Sequence, residues 1–141
     1  MKKTLLLAMT LLTVAFSACA QDKADASKVK HLTYYEFIKK VWNFEANPNT
    51  FEYKGKLPAI IDFYADWCGP CRKQIPVLAE VERLVPGVRI GKVNVDDNPE
   101  LAARFGVNTI PYLAVFRDGD KIRDFVGVQS AETLRAALAD V

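Results

Sequence analysis

The sequence predicts an α/β fold with a central mixed β-sheet, parallel in its centre, antiparallel at an edge hairpin and flanked by helices. Two short apolar runs, 59–64 and 88–95, are separated by a helical pattern, which is typical of parallel strands joined by a crossover helix. Two later apolar segments flank Asp118-Gly119, a dipeptide typical of tight hairpins. Because the alternation of strands and helices ends at this hairpin, we expect the antiparallel pairing at the sheet edge.

The length and composition fit one globular domain. The chain has 141 residues, of which 50% are hydrophobic and 26% charged, a balance that can form a packed core. Its formal net charge is +2, and the excess comes from the first twenty residues, since the remainder holds 17 basic and 17 acidic side chains. We therefore expect no nucleic-acid partner, and we expect the protein to be a monomer.

The N-terminus has the pattern of an export signal over residues 1–20. Two lysines precede an apolar stretch, 4–16, and a small-residue end, 17–20. The apolar stretch is shorter than the roughly 20 residues that span a membrane. Residues 21–30 are polar and alanine-rich, which is typical of a flexible leader, so we place the folded domain at 31–141.

Cys19 leaves the fate of this signal open. Residues 18–20 read Ala-Cys-Ala, a cleavage site that would release a soluble protein starting near Gln21. Residues 16–19 resemble a bacterial lipobox, which would leave Cys19 lipidated as a membrane anchor, although Phe16 stands where an aliphatic residue is usual. In either case the folded domain keeps two cysteines.

The sequence predicts a first helix that is followed by an irregular connection. Thr33 with Glu36 three residues on is a capping-box pattern, and apolar residues then recur at helix spacing until about Asn43. The connection 44–58 contains three aromatic residues and two prolines without a clear period, so it is predicted to be irregular. It either packs over the sheet edge, the interpretation we favour, or binds a partner.

The run 59–64 is predicted to be a central strand buried on both faces, although it contains Asp62. Helix 69–84 follows, with Pro70 acceptable in its first turn. The buried stripe of this helix is predicted to hold Ile75, Leu78, Val81 and Leu84 or Val85. The remaining predicted elements are strand 88–95, a short helix from Asn98 through Phe105, strands 112–116 and 121–126, and helix 131–139 capped by Ser130.

Cys68 and Cys71, between the first central strand and its helix, allow three interpretations. A zinc site would need a second ligand pair, and the rest of the domain offers no cysteine and one histidine, His31, so we expect no metal. A purely structural disulfide would close so small a loop that it removes little unfolded-chain entropy. Reversible redox chemistry remains, with the Cys68–Cys71 disulfide itself in place of a cofactor.

The position of the two cysteines assigns their roles. The strand delivers Cys68 to the start of a helix, where unpaired backbone amides and the positive end of the helix dipole favour a thiolate. Cys68 is therefore the predicted nucleophile. Cys71 lies one turn into the helix, near enough to attack a mixed disulfide on Cys68, and is the predicted resolving cysteine.

The segment Trp67-Cys68-Gly69-Pro70-Cys71 resembles the signature of the thioredoxin family, and the similarity runs from Leu32 to the C-terminus. Further matches to the family are Asp62, Pro76, Lys92, the segment Thr109-Ile110-Pro111 and Gly127. Two residues depart from it: Tyr64 replaces a common tryptophan, and Tyr112 replaces a usual threonine beside the active site. The resemblance implies a thioredoxin fold and a thiol-disulfide oxidoreductase.

The resemblance also implies roles for Asp62 and Lys92. In thioredoxins the matching aspartate is buried behind the second cysteine and accepts its proton, a role that suits a carboxylate whose pKa burial has raised. The matching lysine lies near that acid and influences its titration. The alternatives are a strand-edge acid that reaches solvent and a simply exposed strand lysine.

Pro111 resembles the cis-proline of the family, which implies a groove for extended peptides. A substrate would pair with the backbone of Ile110 as a short added strand, so that its disulfide lies over Cys68. The contact surface implied by the resemblance consists of Trp67, Gly69, Pro70, Ile110, Pro111 and Gly127.

We therefore expect a thioredoxin of the bacterial cell envelope, in the periplasm, either soluble or tethered through Cys19. Its expected partners are disulfide-containing proteins, which it reduces, and a membrane or periplasmic thiol that supplies electrons. The alternatives are a periplasmic disulfide oxidant or isomerase, and a tethered binding module with the same fold but no turnover.

Overall fold

The computed structural model describes residues 29–139, which contain a five-stranded mixed sheet and four helices. The elements are β1 (Lys30–His31), α1 (Tyr34–Lys40), β2 (Ala59–Tyr64), α2 (Gly69–Leu84), β3 (Arg89–Asn94), α3 (Pro99–Arg104), β4 (Tyr112–Arg117), β5 (Asp120–Val126) and α4 (Ala131–Ala139). The strand order is β1-β3-β2-β4-β5; β1, β3 and β2 are parallel, and β4 is antiparallel to both of its neighbours. The predicted fold class is confirmed.

Strand β1 is an element that the sequence did not predict. Its two residues pair with Gly91 and Lys92 of β3, and the strand begins at Lys30, which we had placed in the leader. Two residues are too few for an alternating pattern to be recognised. The predicted export signal with Cys19, and the leader as far as residue 28, lie outside the described residues.

Apolar side chains cover both faces of the sheet, which makes β2 the central strand that its apolar run predicted. One face packs against α1, α3 and the connection after α1, and the other packs against α2 and α4. The first face is rich in aromatic residues, among them Phe37, Phe44, Phe63 and Phe116. The second is mostly aliphatic and contains Ile60, Leu78, Val81, Leu113 and Leu134.

Helix α1 begins with the predicted capping box. The Thr33 hydroxyl accepts the Glu36 N–H at 3.3 Å, and the Glu36 carboxylate accepts the Thr33 N–H at 3.2 Å. The helix ends at Lys40, a few residues earlier than predicted, because the chain turns there to bury Trp42 and Phe44 in the core.

The connection 44–58 contains no helix or strand and packs over the sheet, as we favoured. The rings of Phe51 and Tyr53 stack on Phe116 with centroid distances of 5.5 and 5.4 Å. The Tyr53 backbone N–H also donates to the Gly119 carbonyl at 2.7 Å, which ties the connection to the hairpin between β4 and β5.

Helix α2 has the predicted bounds, but part of its predicted buried stripe is wrong. Ile75 is 50% exposed, whereas Gln74 is fully buried beside Leu78 and Val81. Of the two alternatives at the end of the stripe, Leu84 is exposed and Val85 packs against the core. A buried glutamine is tolerated here because both ends of its amide are paired: Oε1 accepts the Gln129 N–H at 2.8 Å and Nε2 donates to the Gln129 carbonyl at 3.3 Å.

Candidate redox site

The site forms where the chain leaves the central strand and enters α2. Cys68 is the N-cap of α2, and its Sγ accepts the backbone N–H of Cys71 at 3.2 Å. The two sulfurs are joined in a disulfide, with 5.3 Å between the Cα atoms. The amide environment that favours a thiolate at a helix N-terminus is therefore present at Cys68.

Both sulfurs lie just beneath the surface. Cys68 and Cys71 are almost completely buried with Ala65, and Tyr64, Val95 and Ile110 pack against this cluster. Their neighbour Trp67, by contrast, is 70% exposed, and its indole N–H donates to the Asp96 carboxylate at 2.9 Å. A macromolecular partner would therefore contact the surrounding residues as it approaches the sulfurs.

The loop before β4 lies against the disulfide, as the resemblance implied. The Ile110–Pro111 peptide bond is cis, and the Ile110 carbonyl oxygen lies 3.9 Å from the Cys68 Sγ. The Gly127 N–H donates to the Pro111 carbonyl at 2.8 Å, which places the end of β5 beside this loop. The structure thus brings Ile110, Pro111 and Gly127 together around Cys68.

Three exposed apolar residues next to this surface were missed in the sequence. Val126 and Val128 flank Gly127 and are 59% and 43% exposed, and Ile75 lies one helical turn beyond Cys71. Ile75 was predicted to be buried from its helical spacing, and no pattern in the sequence singled out Val126 or Val128. Exposed apolar side chains grouped around a reactive pair are typical of a contact surface.

Asp62 of β2 and Lys92 of β3 form a buried ion pair. They occupy paired positions in β2 and β3, Lys92 Nζ lies 2.6 Å from Asp62 Oδ2, and the side chains are 4% and 0% exposed. The alternatives of a solvent-reaching acid and an exposed lysine are therefore wrong. Paired positions of neighbouring parallel strands point to the same face, which buries both groups together.

The two carboxylate oxygens of Asp62 differ in their hydrogen bonding. Its Oδ1 is buried and has no hydrogen-bond partner among residues 29–139, while Oδ2 is paired with Lys92. Burial raises the pKa of Asp62 above its ordinary value of 3.8, and the positive charge and hydrogen bond of Lys92 only partly offset that rise. Such a carboxylate accepts a proton at a higher pH than an exposed aspartate does.

Two residues without a predicted role adjoin this ion pair. The Lys92 ammonium lies 4.1 Å from the centre of the Tyr64 ring, and the Tyr64 hydroxyl is hydrogen-bonded to Nδ1 of His31 at 2.9 Å. The sequence drew attention to His31 only as a lone potential metal ligand. Without β1, nothing in the sequence places it near Tyr64.

The residues of the described part, 29–139, offer no group of three or more His, Cys, Asp or Glu side chains that could hold a metal ion. Within the same range, no helix is both long and apolar enough to cross a membrane.

Comparison with known proteins decides the family. The model of the family described as thioredoxin matches residues 37–140. The chain belongs to the thioredoxin family. With a paired Cys68 and Cys71 at the helix N-terminus, this thioredoxin is a thiol-disulfide oxidoreductase.

Relatives in sequence and structure agree with this assignment. The thioredoxin of Alicyclobacillus acidocaldarius is 45% identical over 89 residues, which cover 62% of this chain and 85% of that protein. The thioredoxin of Chlamydia caviae is 44% identical over 88 residues, covering 62% and 84%. The oxidised mitochondrial thioredoxin 3 of Saccharomyces cerevisiae is similar in structure, with a TM-score of 0.65 and 28% identity over 82% of this chain and 100% of its own.

Proposed function

We propose that this thioredoxin is exported and reduces disulfides of proteins in the bacterial cell envelope. The observation that carries the redox part of the proposal is the position of Cys68. Its sulfur accepts a backbone N–H at the start of α2 and lies 3.9 Å from the Ile110 carbonyl, at the edge where a peptide could pair.

The proposed reaction has two exchange steps. In the first, the Cys68 thiolate of the reduced protein attacks a substrate disulfide, forming a Cys68–substrate bond and releasing one substrate thiolate. In the second, Cys71 loses its proton and attacks the Cys68 sulfur, forming the Cys68–Cys71 disulfide and releasing the second substrate thiolate. Two electrons pass to the substrate, and the protein ends in the oxidised state seen in the structure.

Asp62 is the proposed acceptor of the Cys71 proton. Its buried Oδ1 has no hydrogen-bond partner in the described part of the chain, and its raised pKa makes it a stronger base than an exposed aspartate. Lys92 compensates the negative charge while Asp62 is ionised, which limits the cost of burying the carboxylate.

Substrate recognition is proposed to depend mainly on backbone pairing at Ile110. An extended segment added at this edge would form main-chain hydrogen bonds that do not depend on its sequence. The exposed side chains around the disulfide, including Trp67 and Val126, would add apolar contact area. This arrangement suits many unrelated disulfide-containing proteins.

The cell-envelope location rests on the N-terminal signal pattern, and the electron donor is proposed to be a membrane or periplasmic thiol. Fractionation of the producing cells would test the location, and the intact mass of the mature protein would distinguish cleavage from lipidation at Cys19. Recovery of unprocessed protein from the cytosol would contradict export.

An insulin-reduction assay tests the proposed activity. We expect turnover by the wild type with dithiothreitol and its loss in both Cys68→Ser and Cys71→Ser. The reduction potential of the pair, measured against glutathione, tests the direction, because a strongly oxidising value would favour the alternative of an oxidant or isomerase. Partner binding without turnover by the wild type would favour the non-catalytic module.

A further inference from the structure

Three ionisable side chains occupy one row across the parallel part of the sheet. His31 of β1 pairs with Lys92 of β3, and Lys92 pairs with Asp62 of β2. Side chains at paired positions share a face of the sheet, so the row runs from the sheet edge to the buried carboxylate. His31 is exposed, whereas Lys92 and Asp62 are buried.

Tyr64 connects the exposed end of this row to its buried end. It lies two residues after Asp62 in β2 and therefore on the same face. Its ring centre is 4.1 Å from Lys92 Nζ, within the range of a cation–π interaction, and its hydroxyl is 2.9 Å from Nδ1 of His31. The His31 and Tyr64 rings also meet edge to face, with centroids 5.7 Å apart.

These contacts hold the Lys92 ammonium from two sides. Asp62 Oδ2 lies 2.6 Å from Nζ, and the face of the Tyr64 ring packs against the same group. His31 in turn fixes the orientation of the Tyr64 ring through the hydroxyl. Tyr64 also packs against the cluster that contains Cys68 and Cys71, so the chain of contacts reaches the redox pair.

We propose that Tyr64 and His31 are positioning residues, which hold Lys92 against Asp62 and so set the pH at which Asp62 can accept a proton. This inference rests on the proposed role of Asp62 in the second exchange step. The inference gives a function to the hydrogen-bonded pair of His31 and Tyr64, whose polar groups do not contact either sulfur.

The charges near Asp62 determine whether its pKa rises or falls when these residues are changed. The groups that act on Asp62 are Lys92 from β3 and His31 from β1, and a positive charge on either lowers the pKa of Asp62. Burial, followed by the negative charges of Asp66, Asp97 and Asp62, raises the pKa of Tyr64, and a hydrogen bond from Asn94 offsets only part of that rise, so the hydroxyl stays protonated.

Removing the ring should therefore raise the pH at which Asp62 ionises. In Tyr64→Leu the ammonium loses one of its two partners and moves more freely, so it stabilises the carboxylate less. We expect the midpoint to rise by about 1 pH unit, the equivalent of a partly desolvated cation–π contact. Tyr64→Phe keeps the ring and should raise it less, and His31→Gln should raise it by a smaller amount because the imidazole no longer holds the Tyr64 hydroxyl and the ring is less well oriented over Lys92.

The test is a ¹³C NMR titration of the Asp62 carboxyl carbon in the oxidised full domain. In the oxidised protein the two disulfide-bonded cysteines do not titrate, so the Asp62 curve is free of their protons. Tyr35→Leu is the matched control, because Tyr35 lines the same surface cleft as His31, Tyr64 and Lys92 but is 77% exposed. The control should leave the midpoint unchanged.

The inference is supported if the midpoint rises in the order His31→Gln or Tyr64→Phe, then Tyr64→Leu. It is overturned if folded Tyr64→Leu titrates like the wild type; should that variant not fold, an unchanged midpoint in His31→Gln overturns it. Because the titration needs no substrate, it is independent of the proposed activity. A shifted midpoint with an unchanged pH profile of the second exchange step would show instead that Asp62 is not the proton acceptor.

Discussion

Asp62 and Lys92 face each other across two parallel strands, with 2.6 Å between Oδ2 and Nζ and with both side chains withdrawn from solvent. The pair does not simply stabilise the fold, because the desolvation energy lost on burying two charges can exceed the attraction of an incompletely paired contact. Within residues 29–139 nothing donates a hydrogen bond to Asp62 Oδ1, so the pairing there is incomplete. Two predictions depend on this buried, incompletely paired acid in the strand that leads to the redox pair.

The first prediction concerns the stability of the oxidised protein as a function of pH. Burial raises the pKa of Asp62 above 3.8, so the folded state binds this proton more tightly than the unfolded state does. The free energy of unfolding should therefore decrease as the pH rises from about 4 through the folded-state pKa. Urea unfolding across this range should show the decrease in the wild type and in the exposed control Asp120→Asn, and a flatter profile in Asp62→Asn.

The second prediction separates the two exchange steps. Asp62→Asn removes the proposed proton acceptor without changing Cys68, so the release step should slow by about 100-fold while the initial attack changes little. Stopped-flow kinetics with a model disulfide would resolve both steps. Equal slowing of attack and release would contradict the assigned role of Asp62.

The third prediction concerns the exposed indole beside the disulfide. Trp67 is 70% exposed and its indole N–H donates to the Asp96 carboxylate near the surface, so Trp67→Ala should change the unfolding free energy little. If the indole contacts substrates, the variant should raise KM for a protein disulfide about tenfold, as loss of an aromatic contact does at an interface. Tyr35→Ala, which removes another exposed aromatic ring, should leave KM unchanged.

The fourth prediction tests the link between α2 and the loop after β5. Gln74→Leu keeps a side chain of similar size but leaves the partly buried Gln129 N–H without its partner at 2.8 Å. The free energy of unfolding should fall by about 1–3 kcal/mol. The neighbouring exposed residue provides the control, since Lys73→Leu should have little effect in the same urea titration.

The fifth prediction concerns packing beneath β1. A Cβ on Gly91 would lie 2.6 Å from Leu32 Cδ1 and 2.9 Å from Ile61 Cδ1, both in the core. Gly91→Ala should therefore lower the free energy of unfolding by about 1–3 kcal/mol. Gly69→Ala is the comparison, because its nearest neighbour would be the flexible Arg72 side chain at 3.8 Å; equal losses in the two variants would count against this packing.

Much of the fold could be predicted because several elements carry long or well-marked patterns. The apolar run at 59–64, the capping box at Thr33 and the hairpin signal at Asp118-Gly119 each correspond to an observed element. In the hairpin, both of these central residues have positive φ, as a tight primed turn requires. Local chemistry determines such features, so they can be recognised without knowing what packs against them.

What could not be predicted depends on contacts between distant segments. Gln74 is buried only because the backbone of Gln129, far along the chain, pairs with its amide. Lys92 is buried only because Asp62 and Tyr64 meet it across the sheet. Patterns of hydrophobicity carry no information about such distant partners. The cis bond before Pro111 was predicted from the family resemblance alone.

The most direct test of the account is to trap the mixed disulfide. Reduced Cys71→Ser, mixed with a disulfide-containing protein, should accumulate a covalent adduct through Cys68 that intact mass spectrometry detects and dithiothreitol removes. Cys68→Ser should form no such adduct under the same conditions. Adduct formation by Cys68→Ser, or its absence in folded Cys71→Ser, would contradict the assignment of Cys68 as the attacking sulfur and Cys71 as the one that releases the substrate.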